Sequence, residues 1–299
     1  MRVELPTRSL HIEAEVHGDA AAPTVIMVMG LGLQLLAWPD ELLGALRDKG
    51  YRVVVFDNRD CGLSGARLTE GHSTPQHAIL AHLLRRPFVP AYRLGDMAED
   101  TLALADALQI GRFHLVGVSL GGMIAQTLAA RAPERVLNLA SLMSSAGPDT
   151  APWPNARVLW RMLRRPPVRA GHGARVEHMV RLLGMLGRLR DAEEIGMLRR
   201  RVDAAIRRAY RPGGVARQLM AVLADRDRSA EVARIACPTL ILHGRDDPLV
   251  KLPAAHHLKR MVPHARLHVV ERLGHYLPQR ALPEIGSVLI EHLRGAELR

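Results

Sequence analysis

A mostly parallel, doubly wound α/β sheet is the fold class that this sequence predicts, and three observations predict it. Val/Ile/Leu-rich runs with little alternation recur along the chain, stretches of helical period separate them, and Gly- or Pro-marked turns close the junctions. A chain of 299 residues with 48% hydrophobic content can build one large domain, or one domain with an insertion.

Residues 10–16 alternate apolar and polar side chains, as a half-buried antiparallel strand does, and residues 2–5 read as its edge partner. The apolar runs at residues 24–29, 52–56, 113–118, 136–143, 239–242 and 266–270 suit parallel strands covered on both faces. Helices are expected over residues 40–49, 97–108, 120–132, 253–261 and 282–293. The second has the clearest spacing, with Asp96 as N-cap and Leu102, Ala105 and Leu108 facing inward. Residues 68–93 carry Pro75, Pro87 and Pro90 with little regular pattern, and read as a wall of the site or a surface loop. From residue 147 to about 229 no strand is expected; prolines at 148, 152, 154, 166 and 167 punctuate Arg-rich helical stretches.

The run at 113–118 ends in Gly117-Val118-Ser119-Leu120-Gly121. Small residues two positions either side of a serine relieve the crowding of a sharp strand-to-helix turn, which exposes the hydroxyl and aims the following N–H groups at a forming negative charge. Alone the pentapeptide is weak, because a hydroxyl needs a histidine to take its proton and a carboxylate to hold that histidine. Both follow downstream. Residues 239–242 run into His243-Gly244-Arg245-Asp246-Asp247-Pro248, and residues 266–270 precede Leu273-Gly274-His275-Tyr276. Three loops, each following a strand candidate, thus carry Ser, Asp and His in that order, and such loops gather at one edge of a parallel sheet.

At these residues the chain resembles the α/β-hydrolase superfamily over nearly its whole length, serine-esterase type, and is most similar to the branch that includes the aclacinomycin methylesterases. Val28-Met29-Gly30-Leu31-Gly32 resembles the family's oxyanion loop, and residues 56–64 the turn after the next strand. The resemblance implies an α/β-hydrolase fold with Ser119, Asp247 and His275 catalytic. Asp247 precedes the proline as the family's acid does, with Asp246 as second choice. The backbone N–H groups of Leu31 and Leu120 are implied as the oxyanion hole. Two departures stand out: Met29 replaces the usual histidine before Gly30, and Asp60 stands where many relatives have glycine.

The resemblance also implies a helical cap at residues 147–231, inserted between the sixth and seventh strands, with residues 1–146 and 232–299 as the core. Trp38, Trp153, Trp160, Met143 and Tyr276 are the expected pocket residues; Met162, Met179, Met185, Met197 and Met220 read first as packing within the cap.

Composition narrows the function. A net charge of +11 invites a nucleic-acid or membrane reading, but residues 147–231 hold 18 Arg against nine acidic residues, so most of the surplus reads as solvated helix faces. With 3% aromatic residues, few rings exist to stack bases, and no nucleic-acid partner is expected. No apolar stretch reads as a signal peptide or membrane span, so a cytoplasmic location is the default. Cys61 and Cys237 form no disulfide framework, no metal spacing is found, and Cys61 reads as a buried or turn-lining thiol. The function expected is cleavage of a small-molecule carboxylic ester without metal or organic cofactor, by a chain for which a homodimer is allowed. Acyl transfer, perhydrolysis, lactone or carbon–carbon bond hydrolysis are alternatives on the same residues, and a non-catalytic binding protein is the reading from another class.

Overall fold

The structure, a computed structural model, describes residues 1–152, 154–163 and 171–297. The chain opens with the antiparallel pair β1 (Arg2–Leu5) and β2 (Leu10–His17), then β3 (Thr24–Val28), α1 (Asp40–Asp48), β4 (Arg52–Phe56) and α2 (Pro75–Leu83). Next come α3 (Leu94–Ala107), β5 (Phe113–Val118), α4 (Leu120–Arg131) and β6 (Val136–Leu142). Among the described residues only helices follow before the next strand: α5 (Ala156–Leu163), α6 (His172–Gly187), α7 (Ala192–Arg208), α8 (Pro212–Ala224) and α9 (Ser229–Val232). The chain then resumes its alternation with β7 (Thr239–Gly244), α10 (Pro253–Met261), β8 (Arg266–Val270) and α11 (Leu282–Glu297).

One eight-stranded sheet results, in the order β1-β2-β4-β3-β5-β6-β7-β8. The strands from β3 onward run parallel, while β2 pairs antiparallel with β4. Every residue of β3 and β5 is buried, which explains why these runs are apolar without alternation. From β3 the chain winds first to β4 on one side and later to β5 on the other. The crevice between the C-terminal ends of β3 and β5 is therefore the topological switch point, where ligands of such sheets bind.

Two apolar layers cover the sheet. Met97 and Leu104 of α3, Ile124 and Leu128 of α4 and Leu258 of α10 pack on one face. Leu42 and Leu46 of α1 with Ile285, Leu289 and Leu293 of α11 pack on the other. The helices between β6 and β7 have a third core of their own, centred on Val176, Val180 and Leu183 of α6 and Leu198 and Val202 of α7. Asp191 caps α7 by accepting the Glu193 and Glu194 N–H groups, and Arg207 and Arg208 lie in its last turn, where positive charge suits the helix dipole. Not all of the segment stands apart from the sheet layers: Ala221 of α8 and Val232 of α9 are buried in the α3–α4 layer, and α9 packs on α4 and α10.

Two expectations about local structure need correction. Helix α3 begins at Leu94, so Asp96 is not its N-cap; Arg93 is, and Asp96 reaches back from the third position to accept the Arg93 N–H at 2.8 Å. A carboxylate from far along the chain completes the end, because Asp225 accepts from Leu94 N at 3.1 Å and from Arg93 Nη1 at 3.0 Å. Residues 68–93, expected to lack regular structure, contain α2, with Thr74 capping the His77 N–H at 3.2 Å and Pro75 at the first helical position. Among the described residues no helix is long and apolar enough to cross a membrane, and no cluster of His, Cys, Asp and Glu is grouped to hold a metal ion.

Candidate active site

Ser119 sits between β5 and α4 at φ 55°, ψ −117°, a conformation that costs an L-residue about 1–3 kcal/mol and persists only where packing enforces it. The enforcement is visible in the glycines. A Cβ on Gly117 would run into the Gly121 carbonyl oxygen, and one on Gly121 into the Val28 carbonyl oxygen at the end of β3. Ser144 Oγ donates to the Ser119 carbonyl at 2.8 Å, tying the turn to the loop that follows β6.

His275 and Asp247 arrive from the loops after β8 and β7. His275 Nε2 lies 2.9 Å from Ser119 Oγ, and His275 Nδ1 lies 2.6 Å from Asp247 Oδ2. A carboxylate only accepts, so Nδ1 carries the proton and Nε2 is left to accept from the serine hydroxyl. Asp247 is buried, and its other oxygen accepts the Leu249 and Val250 N–H groups, each at 2.9 Å. These donors fix the carboxylate plane before it meets the imidazole. Asp246 turns away and pairs with Arg188 at 3.2 Å, so of the two adjacent acids only Asp247 contacts His275. Behind them His243 is fully buried; burial pushes its pKa down, and its Nε2–H donates to the Val250 carbonyl at 2.7 Å. A neutral imidazole there leaves the Asp247 charge directed at His275.

The inserted helices reach this site directly. The backbone N–H of His275 donates to the Leu186 carbonyl in the last turn of α6 at 2.7 Å, and a Cβ on Gly274 would strike that same carbonyl oxygen. Gly274 is thus set by a close approach between backbones.

Leu31 and Leu120 lie either side of the crevice. Leu120 is the first residue of α4, so its N–H has no partner within the helix. The loop carrying Leu31 comes close to Ser119: a Cβ on Gly30 would stand 3.4 Å from Ser119 Cβ. Without the usual histidine, other residues brace this loop. Asn58 Nδ2 donates to the Met29 carbonyl at 2.8 Å, Asp57 Oδ1 accepts Leu35 N–H at 2.8 Å, and Gln218 Oε1 accepts Gly32 N–H at 2.8 Å. None of the three was identified from sequence. Asn58 and Asp57 lie in the turn that the resemblance had marked, whereas Gln218, 186 positions from Gly32, left no local signal.

The other expected pocket residues fare differently. Trp38 and Met143 are 2% and 1% exposed and lie in the apolar layer beneath α1 and α11. Trp160 on α5 is 53% exposed. Tyr276 packs against the α6–α7 core, as do Met179 and Met185. Met197 shares a shallow cleft with Tyr276, and Met220 is buried. Trp153 and the side chain of Met162 lie outside the described residues.

The reading of the arginines as solvated faces is wrong for a distinct subset. Arg208 donates to Asp57 Oδ2 at 2.5 Å, and Arg217 grips Asp60 through two nitrogens at 2.5 and 2.8 Å. Asp57 and Asp60 are buried acids, and Asp60 also accepts from Tyr92 Oη at 3.2 Å. Hydrogen bonding to Asp60 raises the Arg217 pKa. Arg228 is buried, donates to Gln126, Thr127 and two carbonyls, and is pushed down to about 10 by that burial. Arg181 and Arg207, by contrast, make exposed pairs one helical turn from their partners, as expected of solvated faces. Cys61 is a buried thiol, pushed up to about 12 by burial and then by Asp57, and holds no thiolate at neutral pH.

Comparison with known proteins places this geometry in context. Rhodomycin D methylesterase DauP of Streptomyces sp. (strain C5) is 30% identical, over 98% of this chain and 99% of its own length. A putative carbamate hydrolase, RutD of Variovorax paradoxus (strain S110), is 29% identical, over 87% of this chain and 88% of its own. The crystallised meta-cleavage product hydrolase CumD of Pseudomonas fluorescens IP01 superposes with a TM-score of 0.74 at 21% identity, over 99% of this chain and 98% of that one, which speaks to the fold. Since residues 23–278 match the alpha/beta hydrolase fold family, with full-length relatives at 30% identity, the chain belongs to the α/β hydrolases.

Proposed function

We propose that the protein is a serine hydrolase that cleaves a carboxylic ester through an acyl-enzyme. The observation that carries this reading is the unbroken relay from Ser119 Oγ to His275 Nε2 at 2.9 Å and from His275 Nδ1 to Asp247 at 2.6 Å. Ser119 attacks the ester carbonyl while His275 takes its proton, and the imidazolium so formed is held by the buried Asp247. The tetrahedral oxyanion is received by the N–H groups of Leu31 and Leu120, a contribution of about 10²–10³ in rate per donor where one has been removed elsewhere. Collapse expels the alcohol, protonated by His275; water then attacks the acyl carbon as it gives a proton to His275, and the second tetrahedral intermediate breaks its bond to Ser119 Oγ, which takes the proton back from His275 as the acid leaves.

The full-length likeness to a protein named a rhodomycin D methylesterase favours ester hydrolysis over acyl transfer, perhydrolysis or carbon–carbon cleavage. In this reading the helices of residues 147–231 form a cap that shapes the pocket, no metal or organic cofactor takes part, and the enzyme works in the cytoplasm. A fluorophosphonate probe tests it: Ser119 should be labelled, and Ser119→Ala should abolish labelling and nitrophenyl-ester turnover. An unlabelled wild-type protein, or a variant as active as wild type, overturns the reading.

A further inference from the structure

Gln218 projects from α8, is fully buried, and uses both ends of its amide. Nε2 donates to the Arg59 carbonyl at 2.9 Å, and Oε1 accepts the Gly32 N–H at 2.8 Å. The orientation is unambiguous, since a carbonyl can only accept and an N–H can only donate. Gly32 is the residue after Leu31 and has φ +66°, a left-handed conformation suited to glycine.

Three bonds surround the peptide that carries the Leu31 N–H. Asn58 holds the Met29 carbonyl at 2.8 Å, Leu33 N–H holds the Gly30 carbonyl at 3.2 Å, and Gln218 holds Gly32. The first two come from the core and from the loop itself. Gln218 alone among them comes from the inserted helices. Its helix also presses on the same loop, because a Cβ on Gly32 would meet the Val215 methyls. A buried amide needs its hydrogen bonds whatever its role, so satisfaction by itself argues only for stability. The partner is what matters: Gln218 ends on the residue next to Leu31, beside the nucleophile.

We propose that Gln218 is a positioning residue that fixes the direction of the Leu31 N–H through its hydrogen bond to Gly32, so that a side chain of α8 aims this oxyanion donor. The proposal rests on the ester-hydrolase reading, in which Leu31 N–H receives the oxyanion. Gln218 touches no reacting atom; it acts through Gly32.

The test compares Gln218→Met, which retains the volume but neither hydrogen bond, with Arg217→Met, which loosens the same helix without touching Gly32. On a nitrophenyl ester, Q218M should lose ~10–100-fold in kcat with KM within about 3-fold, up to an order of magnitude less than outright loss of a donor. A trifluoromethyl ketone, whose adduct carries the oxyanion, should bind Q218M more weakly by the same factor, while R217M should stay within about 3-fold of wild type in kcat. Unchanged kcat in Q218M, an equal loss in R217M, or a loss in KM alone would overturn the role. Should Q218M not fold, hydrogen exchange on the wild-type protein decides: the Gly32 amide should be protected like core amides, and loop-like exchange overturns the proposal. Failure of Ser119 to label in wild type would instead strike the ester-hydrolase reading itself.

Discussion

Arg217 of α8 and Asp60 of the loop after β4 form a two-pronged ion pair at 2.5 and 2.8 Å, with the carboxylate side chain 3% exposed and the guanidinium 26%. The acid that departs from the family's usual glycine thus has a partner, and the pair bolts the inserted helices to the sheet. Breaking one side of such a pair leaves a buried charge uncompensated, which costs about 3–5 kcal/mol when both are fully buried. Because Arg217 retains some solvent contact, Arg217→Met should lower the unfolding free energy by about 2–3 kcal/mol in urea melts. The double variant Asp60→Asn, Arg217→Met should recover part of that loss, and strict additivity would show that the two residues are uncoupled.

Asp247→Asn should reduce kcat on an activated ester by about 10⁴-fold, because an amide no longer dictates which imidazole nitrogen holds the proton. Asp246→Asn should stay within about 2-fold of wild type, as expected of a surface contact. Steady-state kinetics of the two variants assign the acid. Reversal of the two effects would place the relay on Asp246.

Gly121→Ala should impair folding more than Gly50→Ala. The first methyl would strike the Val28 carbonyl oxygen, whereas nothing lies within 4 Å of a Cβ at Gly50. Gly50 does have φ +85°, so its variant carries backbone strain of about 1–2 kcal/mol. The yield of soluble protein and the thermal midpoint, measured side by side, make the comparison.

His292 of α11 is pushed down to about 4 by burial, against 6.5 in the open. Its neutral Nε2–H donates to the Leu139 carbonyl at 3.0 Å. Between those two pH values the unfolded chain binds a proton that the folded one refuses, so stability rises with pH across the window and is lost as pH falls through it. The full excursion is worth about 3 kcal/mol at most. Chemical denaturation at a series of pH values should show this slope, and His292→Gln should flatten it; an unchanged slope would assign acid sensitivity to other groups such as His243, which burial also pushes down.

Much of this molecule could be read from its residues because the informative signals are local. Runs dominated by apolar residues, such as 113–118, are strands, for they bury both faces. The glycines around Ser119 mark its turn, since only a residue without Cβ clears the Gly121 and Val28 carbonyls. What could not be read depends on partners distant in sequence. The true start of α3 needs Asp225, Gly32 is held by Gln218, and Asp57 and Asp60 are matched by arginines more than 150 positions away. An Arg-rich helix looks the same in sequence whether its guanidinium groups face water or reach a buried carboxylate. Trp38 and Met143 illustrate the converse, as bulky side chains near a motif that fill the core.

The bond from His275 N–H to the Leu186 carbonyl has a practical consequence for protein engineering. Substrate scope in such enzymes invites exchange of whole helical insertions between relatives. Here the segment brings its own acceptor for the histidine loop, its own amide for Gly32 and its own cations for Asp57 and Asp60. A chimaera that imports foreign helices would strand two acids and free two loops. The unit of exchange is the insertion together with the residues it clasps.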